Sequence, residues 1–163
     1  HHVKQYDLLI KACAKIPGST LTIIGEGTER QNLEHLANES GVDLNLPGNV
    51  PNEELPGLLQ RHQIYASTSK WEGHPKALIE AMACGLPCLA VRTAGIENLI
   101  NHGVNGWLVD NTREDVRNGL NLLLDNGSIC KNISVKAKQF IIANYSFEDV
   151  MRKEFNIIQN FIK

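Results

Sequence analysis

The stretch Ser69-Lys70-Trp71-Glu72-Gly73-His74-Pro75-Lys76-Ala77-Leu78-Ile79-Glu80-Ala81-Met82-Ala83-Cys84-Gly85 constrains this chain more than any other. From Ala77 to Cys84 it is apolar all round except for one carboxylate, Glu80. A helix without a polar face is normally buried, and a carboxylate on such a helix is costly unless something pairs with it. Pro75 suits a first helical position, where its missing N–H costs nothing. Gly85 and Pro87 give an equally clear stop. The segment predicts a polar loop carrying Glu72, then the N-terminus of a buried helix. Two carboxylates near one helix end make a place to hold a polar, partly anionic ligand.

The rest of the chain alternates between two periods. Helical spacing runs from Val3 to Ala14, Glu26 to Ser40, Ile96 to Asn101, Arg113 to Leu124, Lys131 to Asn144 and Phe147 to Lys163. Asn52 is a candidate N-cap for a short helix through Leu59, and Thr112 or Asn111 for the helix from Arg113. Short β-branched or alternating runs stand at Leu21–Ile24, Val42–Leu46, Ile64–Thr68, Cys88–Val91 and Gly106–Val109. This alternation predicts an α/β fold, a parallel sheet with helices on both faces and extra helices at the C-terminus. Residues 1–163 read as a single domain. Ligands of such sheets bind beyond the carboxyl ends of the strands. The loops there are Gly25–Gly27, Pro47–Asn52, Ser69–Pro75 and Thr93–Gly95.

Composition narrows the function classes. The chain has 163 residues and a net charge of −2, so no broad positive field favours nucleic acid. No apolar run approaches the roughly 20 residues of a membrane span, and no signal-peptide pattern opens the chain. It also lacks an initiator Met, and so reads as a piece of something longer. Cys13, Cys84, Cys88 and Cys130 form no C-x-x-C pair and have no histidine at ligand spacing. They read as free thiols of a reducing compartment, with no metal site.

Each candidate site residue has a plain alternative. Gly25 and Gly27 follow a strand, the right context for a phosphate, but Arg30 stands where a dinucleotide fingerprint wants its third glycine. A tight turn is the favoured reading there. Glu72 and Glu80 could act as a pair, or as a helix cap and an internal ion pair. His74 and Lys76 flank a helix start whose free N–H groups suit a phosphate; singly, each is a solvated loop residue. Lys4 alone reads as a solvated cation, and Trp71 as a packing residue. No serine has a partnered base that spacing can show, so no nucleophile is assigned.

Taken together, Glu72 to Pro87 resembles the donor-site signature of the group 1, family 4 retaining glycosyltransferases. Lys4 with Leu8 to Ala12, Ile24 to Gly27, Gly48 to Val50, Ala94 to Ile96 and His102 to Val109 fall in that family's order. The resemblance implies a two-Rossmann-domain enzyme of the GT-B type, of which this chain is the C-terminal, donor-binding half. Glu80 would then accept from a ribose diol, and Glu72 would meet hydroxyls of the transferred sugar. Backbone N–H groups at His74, Lys76 and Ala77, with Gly25 and Gly27, would face the donor. Lys4 would neutralise the leaving diphosphate, and Val50 and Asn52 would lie by the base. The implied donor is a UDP- or GDP-sugar, with neither cofactor nor metal.

The implied acceptor is a glycan or lipid-linked molecule held by the missing N-terminal domain. That domain would also carry any peripheral membrane association of a cytoplasmic enzyme of cell-surface glycan synthesis. His74-Pro75 replaces a commoner Phe-Gly, Asn98 replaces a common Glu, and the arginine that usually accompanies Lys4 is missing. The fragment alone is expected to bind donor at best. A nucleotide-sugar epimerase and a non-catalytic partner subunit are the competing readings.

Overall fold

The computed structural model describes residues 3–146, 149 and 151. Along the chain come α1 Tyr6–Cys13, β1 Thr20–Ile24, α2 Arg30–Ser40, β2 Asp43–Gly48, α3 Leu55–Leu59 and β3 Tyr65–Ser67. Then follow α4 Lys76–Ala83, β4 Cys88–Val91, α5 Ala94–Glu97, β5 Trp107–Val109, α6 Arg113–Asp125 and α7 Gly127–Tyr145. The expected helix from Phe147 to Lys163 lies outside the described residues apart from Asp149 and Met151.

Every strand pairing is parallel, as the alternation of elements predicts. β1 pairs with β2, and β3, β4 and β5 form a second ladder in that order. The ladder is interrupted between β1 and β3. A cavity of about 630 Å³ separates them, lined on one side by Leu21 and Ile23 and on the other by Ile64 and Ala66.

Burial on both faces explains why β4 is apolar at every position. Leu89 and Val91 face a core built with Leu9 and Ile10 of α1, Val116 and Leu123 of α6, and Ile133 of α7. Cys88 and Ala90 face the opposite core, with Leu78 and Met82 of α4, Ile96 of α5 and Ile141 of α7. Alternate residues of a strand point to opposite faces, so a strand covered on both sides loses the polar half of its pattern. α6 comes close enough to the sheet that a Cβ at Gly119 would stand 2.6 Å from Leu89 Cδ1.

The helix starts agree with the expectation in one case and depart from it in others. Thr112 is the N-cap of α6: its Oγ1 accepts from the Asp115 N–H at 3.1 Å. Asn52 is not the cap of α3. It is exposed in the turn before that helix, whose N-cap position is Glu54. The expected start of α2 at Glu26 is also corrected. Gly25 has φ of 120°, the following residues turn, and the helix begins at Arg30. Among the described residues no helix is long and apolar enough to cross a membrane.

The thiols are free, as expected. Burial pushes the Cys13 thiol from its ordinary 9.0 to about 11, with Arg117 pulling weakly the other way. Burial likewise pushes Cys88 up. Between pH 9 and about 11 the unfolded chain therefore releases the Cys13 proton while the folded chain keeps it. Stability is complete below pH 9 and is lost as pH rises through that window, by on the order of 2 kcal/mol. Urea titrations at pH 8 and pH 10.5 check this: Cys13→Ala should flatten part of the fall, and an unchanged slope would contradict it.

Candidate functional site

The N-terminal segment is tied to the loop after β3 by three kinds of bond. The Lys70 N–H donates to the Val3 carbonyl at 2.8 Å. The buried Thr68 hydroxyl lies 3.0 Å from the carbonyls of both Lys4 and Gln5. The Lys4 ammonium meets Glu72 Oε1 at 2.5 Å. Gln5 takes a left-handed conformation, φ 49°, at the N-cap of α1. A non-glycine residue adopts that region only when its surroundings impose it. Here the bonds on either side of Gln5 do so. Lys4 and Glu72, 68 residues apart, are thereby held together. Glu72 retains only 12% side-chain exposure.

Gly95 fixes the other side of the same loop. A Cβ on Gly95 would fall 1.8 Å from the Glu72 carbonyl oxygen, so the two backbones touch there. No larger residue fits without moving one of them. This close approach is a long-range packing fact that local sequence pattern does not signal.

The helix that organises the sequence is α4. Leu78, Ala81 and Met82 are buried, but Ala77 is exposed and Ile79, Glu80, Ala83 and Cys84 are half-buried. The expectation of a helix buried all round is corrected: its apolar residues are small on one side, and that side borders the cavity. Ala77 and Glu80 line that cavity, as do Tyr6 and Tyr65. Glu80 is 30% exposed and pairs with Lys76 at 3.2 Å. The internal ion pair anticipated as the plain alternative for Glu80 is therefore present. It does not exhaust the group, because a carboxylate has about four lone-pair sites.

Pro75 is the N-cap of α4, not its first helical residue. With φ −78° and ψ 69°, and with the Lys76 N–H donating to the His74 carbonyl at 2.9 Å, it forms an inverse γ-turn. That turn absorbs the Lys76 N–H. The Ala77 N–H and the Lys76 ammonium remain at the helix start, where the dipole favours an anion. His74 is exposed beside them. Trp71, expected to pack, is 69% exposed. Its ring lies over the loop at Gly73, where a Cβ would stand 3.2 Å from Trp71 Cη2.

Gly25, Gly27, Val50 and Asn52 sit on the neighbouring loops, after β1 and β2. The Gly25 N–H donates to the Gly48 carbonyl at 2.8 Å. Arg30, in place of a third glycine, binds Glu26 at 2.8 Å and the Leu46 carbonyl at 2.9 Å, so it fastens this loop to β2. The tight-turn reading holds for Gly25, whose φ requires glycine.

Pattern reading missed two further groups. Burial pushes the Tyr65 hydroxyl up; Cys88, Tyr6, Glu72 and Glu80 add to the effect in that order. Both glutamates thus act on one buried phenol at the root of the loop. The side-chain oxygens of Gln5 and Thr93 are buried without a partner, one beside Lys4 and the other two residues before Gly95. Among the described residues no three His, Cys, Asp or Glu side chains gather as a metal site would need.

Comparison with known proteins follows the same outline. A family model described as glycosyl transferases group 1 matches residues 1–140. A glycosyltransferase of Haemophilus influenzae is 30% identical over 156 residues, covering 92% of this chain and 44% of that protein. A lipopolysaccharide core biosynthesis glycosyltransferase of Rhizobium meliloti is 24% identical, covering 90% and 44%. The chain therefore spans less than half the length of these relatives. Anabaena HepE, crystallised with UDP and glucose, superimposes with a TM-score of 0.91 at 22% identity, covering 98% of this chain and 46% of that one. The C-terminal domain of a Francisella tularensis group 1 glycosyl transferase superimposes at 0.80 and 22% identity, covering 90% and 82%.

The Gly95 contact generates a stability prediction. Gly95→Ala should cost about 1–3 kcal/mol, the ordinary cost of overpacking. Gly127→Ala, where a Cβ meets nothing within 4 Å and the backbone is helical, serves as the control that should not destabilise. Equal urea midpoints for the two variants would contradict the packing described.

Proposed function

The chain belongs to the group 1 glycosyl transferases, of GT-B architecture, and from that premise we propose that residues 1–163 are the nucleotide-sugar donor domain of such an enzyme. The observation that carries this reading is the loop before α4. There hydrogen bonds to the Thr68 hydroxyl and the Val3 carbonyl hold Lys4 against Glu72, in the loop that leads into α4 and its Lys76–Glu80 pair. This arrangement places two cations and two carboxylates at one helix N-terminus, the mixture that a diphosphate with hydroxyls on either side requires.

In this proposal Glu80 accepts from the ribose diol while keeping Lys76. Glu72 accepts from hydroxyls of the transferred sugar while keeping Lys4. An ammonium has three N–H donors, so Lys4 can serve Glu72 and the diphosphate together. The Ala77 N–H, the Lys76 ammonium and His74 face the phosphates, with Gly25 and Gly27 across from them. Val50 and Asn52 border the base. The bond from the anomeric carbon to the diphosphate breaks, its electron pair leaving on phosphate. A bond to the acceptor hydroxyl oxygen forms on the same face of the sugar, and the hydroxyl proton is released. Cations and the helix end stabilise the charge that develops on the leaving group, without a metal. The donor is a UDP- or GDP-sugar. UDP in the HepE crystals and the lipopolysaccharide role of the Rhizobium relative support a UDP-sugar used in cell-surface glycan synthesis. A second α/β domain supplies the acceptor wall, and the enzyme works in the cytoplasm.

Calorimetric titration with UDP and with GDP tests the reading. One of them should bind saturably to the folded chain. Lys4→Ala and Glu80→Gln should each weaken it about tenfold or more, the worth of a charged hydrogen bond. No saturable binding of either nucleotide by the folded chain would sink the proposal.

A further inference from the structure

The outer face of α7 has no part in the site. The helix is 19 residues long, and its inner side, Ile133, Ala137 and Ile141, is buried in the two cores. Its outer side exposes two large aliphatic residues, Val135 at 50% and Ile142 at 59%. Seven residues apart, they lie within about 20° of each other around the helix axis. Lys131 and Lys138 stand beside them on the same face, and Lys136 lies toward the other flank; Lys131, Lys136 and Lys138 are all exposed. From Asn126 to Ser146 there is no aspartate or glutamate, in a chain with 18 acidic residues and a net charge of −2. The charge of this helix is therefore positive, against the balance of the whole molecule.

We infer that this face of α7 docks on an anionic lipid surface. The stripe lies along one face of a single helix. Its two aliphatic side chains share one line, and the lysines flank them. Such a face suits a plane of negative headgroups, with long lysine stems reaching sideways to the phosphates while the aliphatic tips enter the interface. α7 packs along α4, and the Lys138 stem passes Gly85, just beyond the C-terminal end of α4. The loop with Glu72 and His74 precedes the other end of that helix. The inference does not depend on nucleotide binding.

Sedimentation with vesicles tests it. The chain should pellet with phosphatidylcholine–phosphatidylglycerol vesicles at low salt, and not with phosphatidylcholine alone. Each lysine near such a surface contributes roughly 1 kcal/mol, about fivefold in partitioning. Lys131→Gln, Lys136→Gln and Lys138→Gln together should weaken it about a hundredfold. Pelleting that ignores lipid charge, or a triple variant that partitions like the parent, would overturn the inference. So would tighter binding to duplex DNA than to the vesicles. Ile142→Trp provides an independent readout should the triple variant fail to fold. Its emission should move to the blue with anionic vesicles only, and an unmoved spectrum would count against docking.

Discussion

The fastening of the N-terminal segment to the loop after β3 is the constraint on which the site depends. Without the Lys70 bond to Val3 and the Thr68 bonds to Lys4 and Gln5, nothing would hold Lys4 beside Glu72. With them it is delivered to Glu72 across 68 residues of sequence. The Lys4 ammonium keeps 49% side-chain exposure, and an ion pair open to water on one side contributes about 1 kcal/mol, so the pair alone does not hold the loop. The backbone bonds and the buried Thr68 hydroxyl do that, and the ion pair is positioned by them. The left-handed Gln5 is the local cost of this arrangement.

The same loop is braced from the opposite side by glycine. Gly95 permits the start of α5 to touch the Glu72 backbone, and so the loops after β3 and β4 form one unit. Arg30 joins the loop after β1 to the end of β2 in a similar way, with charge in place of close packing. The result is a row of loops along the carboxyl ends of parallel strands, each tied to a neighbour. The cavity between β1 and β3 runs along the strands and is lined at α4 by Ala77 and Glu80.

Much of this was legible in the sequence. The short β-branched runs alternating with helical periods marked the α/β class, and the stop at Gly85 marked the end of α4 to within a residue or two. The Ala77–Cys84 run signalled a helix but overstated its burial, because alanine reads as apolar whether or not it is covered. Asn52 had the right chemistry for a cap, yet Pro51 starts a turn that moves the cap to Glu54. Pro75 was read as a helical residue, whereas the γ-turn at that position takes the Lys76 N–H. The tie between Lys4 and Glu72 and the approach of Gly95 were not legible. Both are contacts between distant segments, and periodicity carries no information about them.

The central claim is that Glu80 is reserved for the ribose diol of a nucleoside diphosphate. The most direct measurement compares the affinity of the nucleoside diphosphate that binds with that of its 2′,3′-dideoxy analogue, on the parent chain and on Glu80→Gln. The account predicts that losing the diol costs the parent about tenfold or more and costs the variant much less, because the two changes remove the same bonds. An equal penalty in both proteins, or none in the parent, would contradict it.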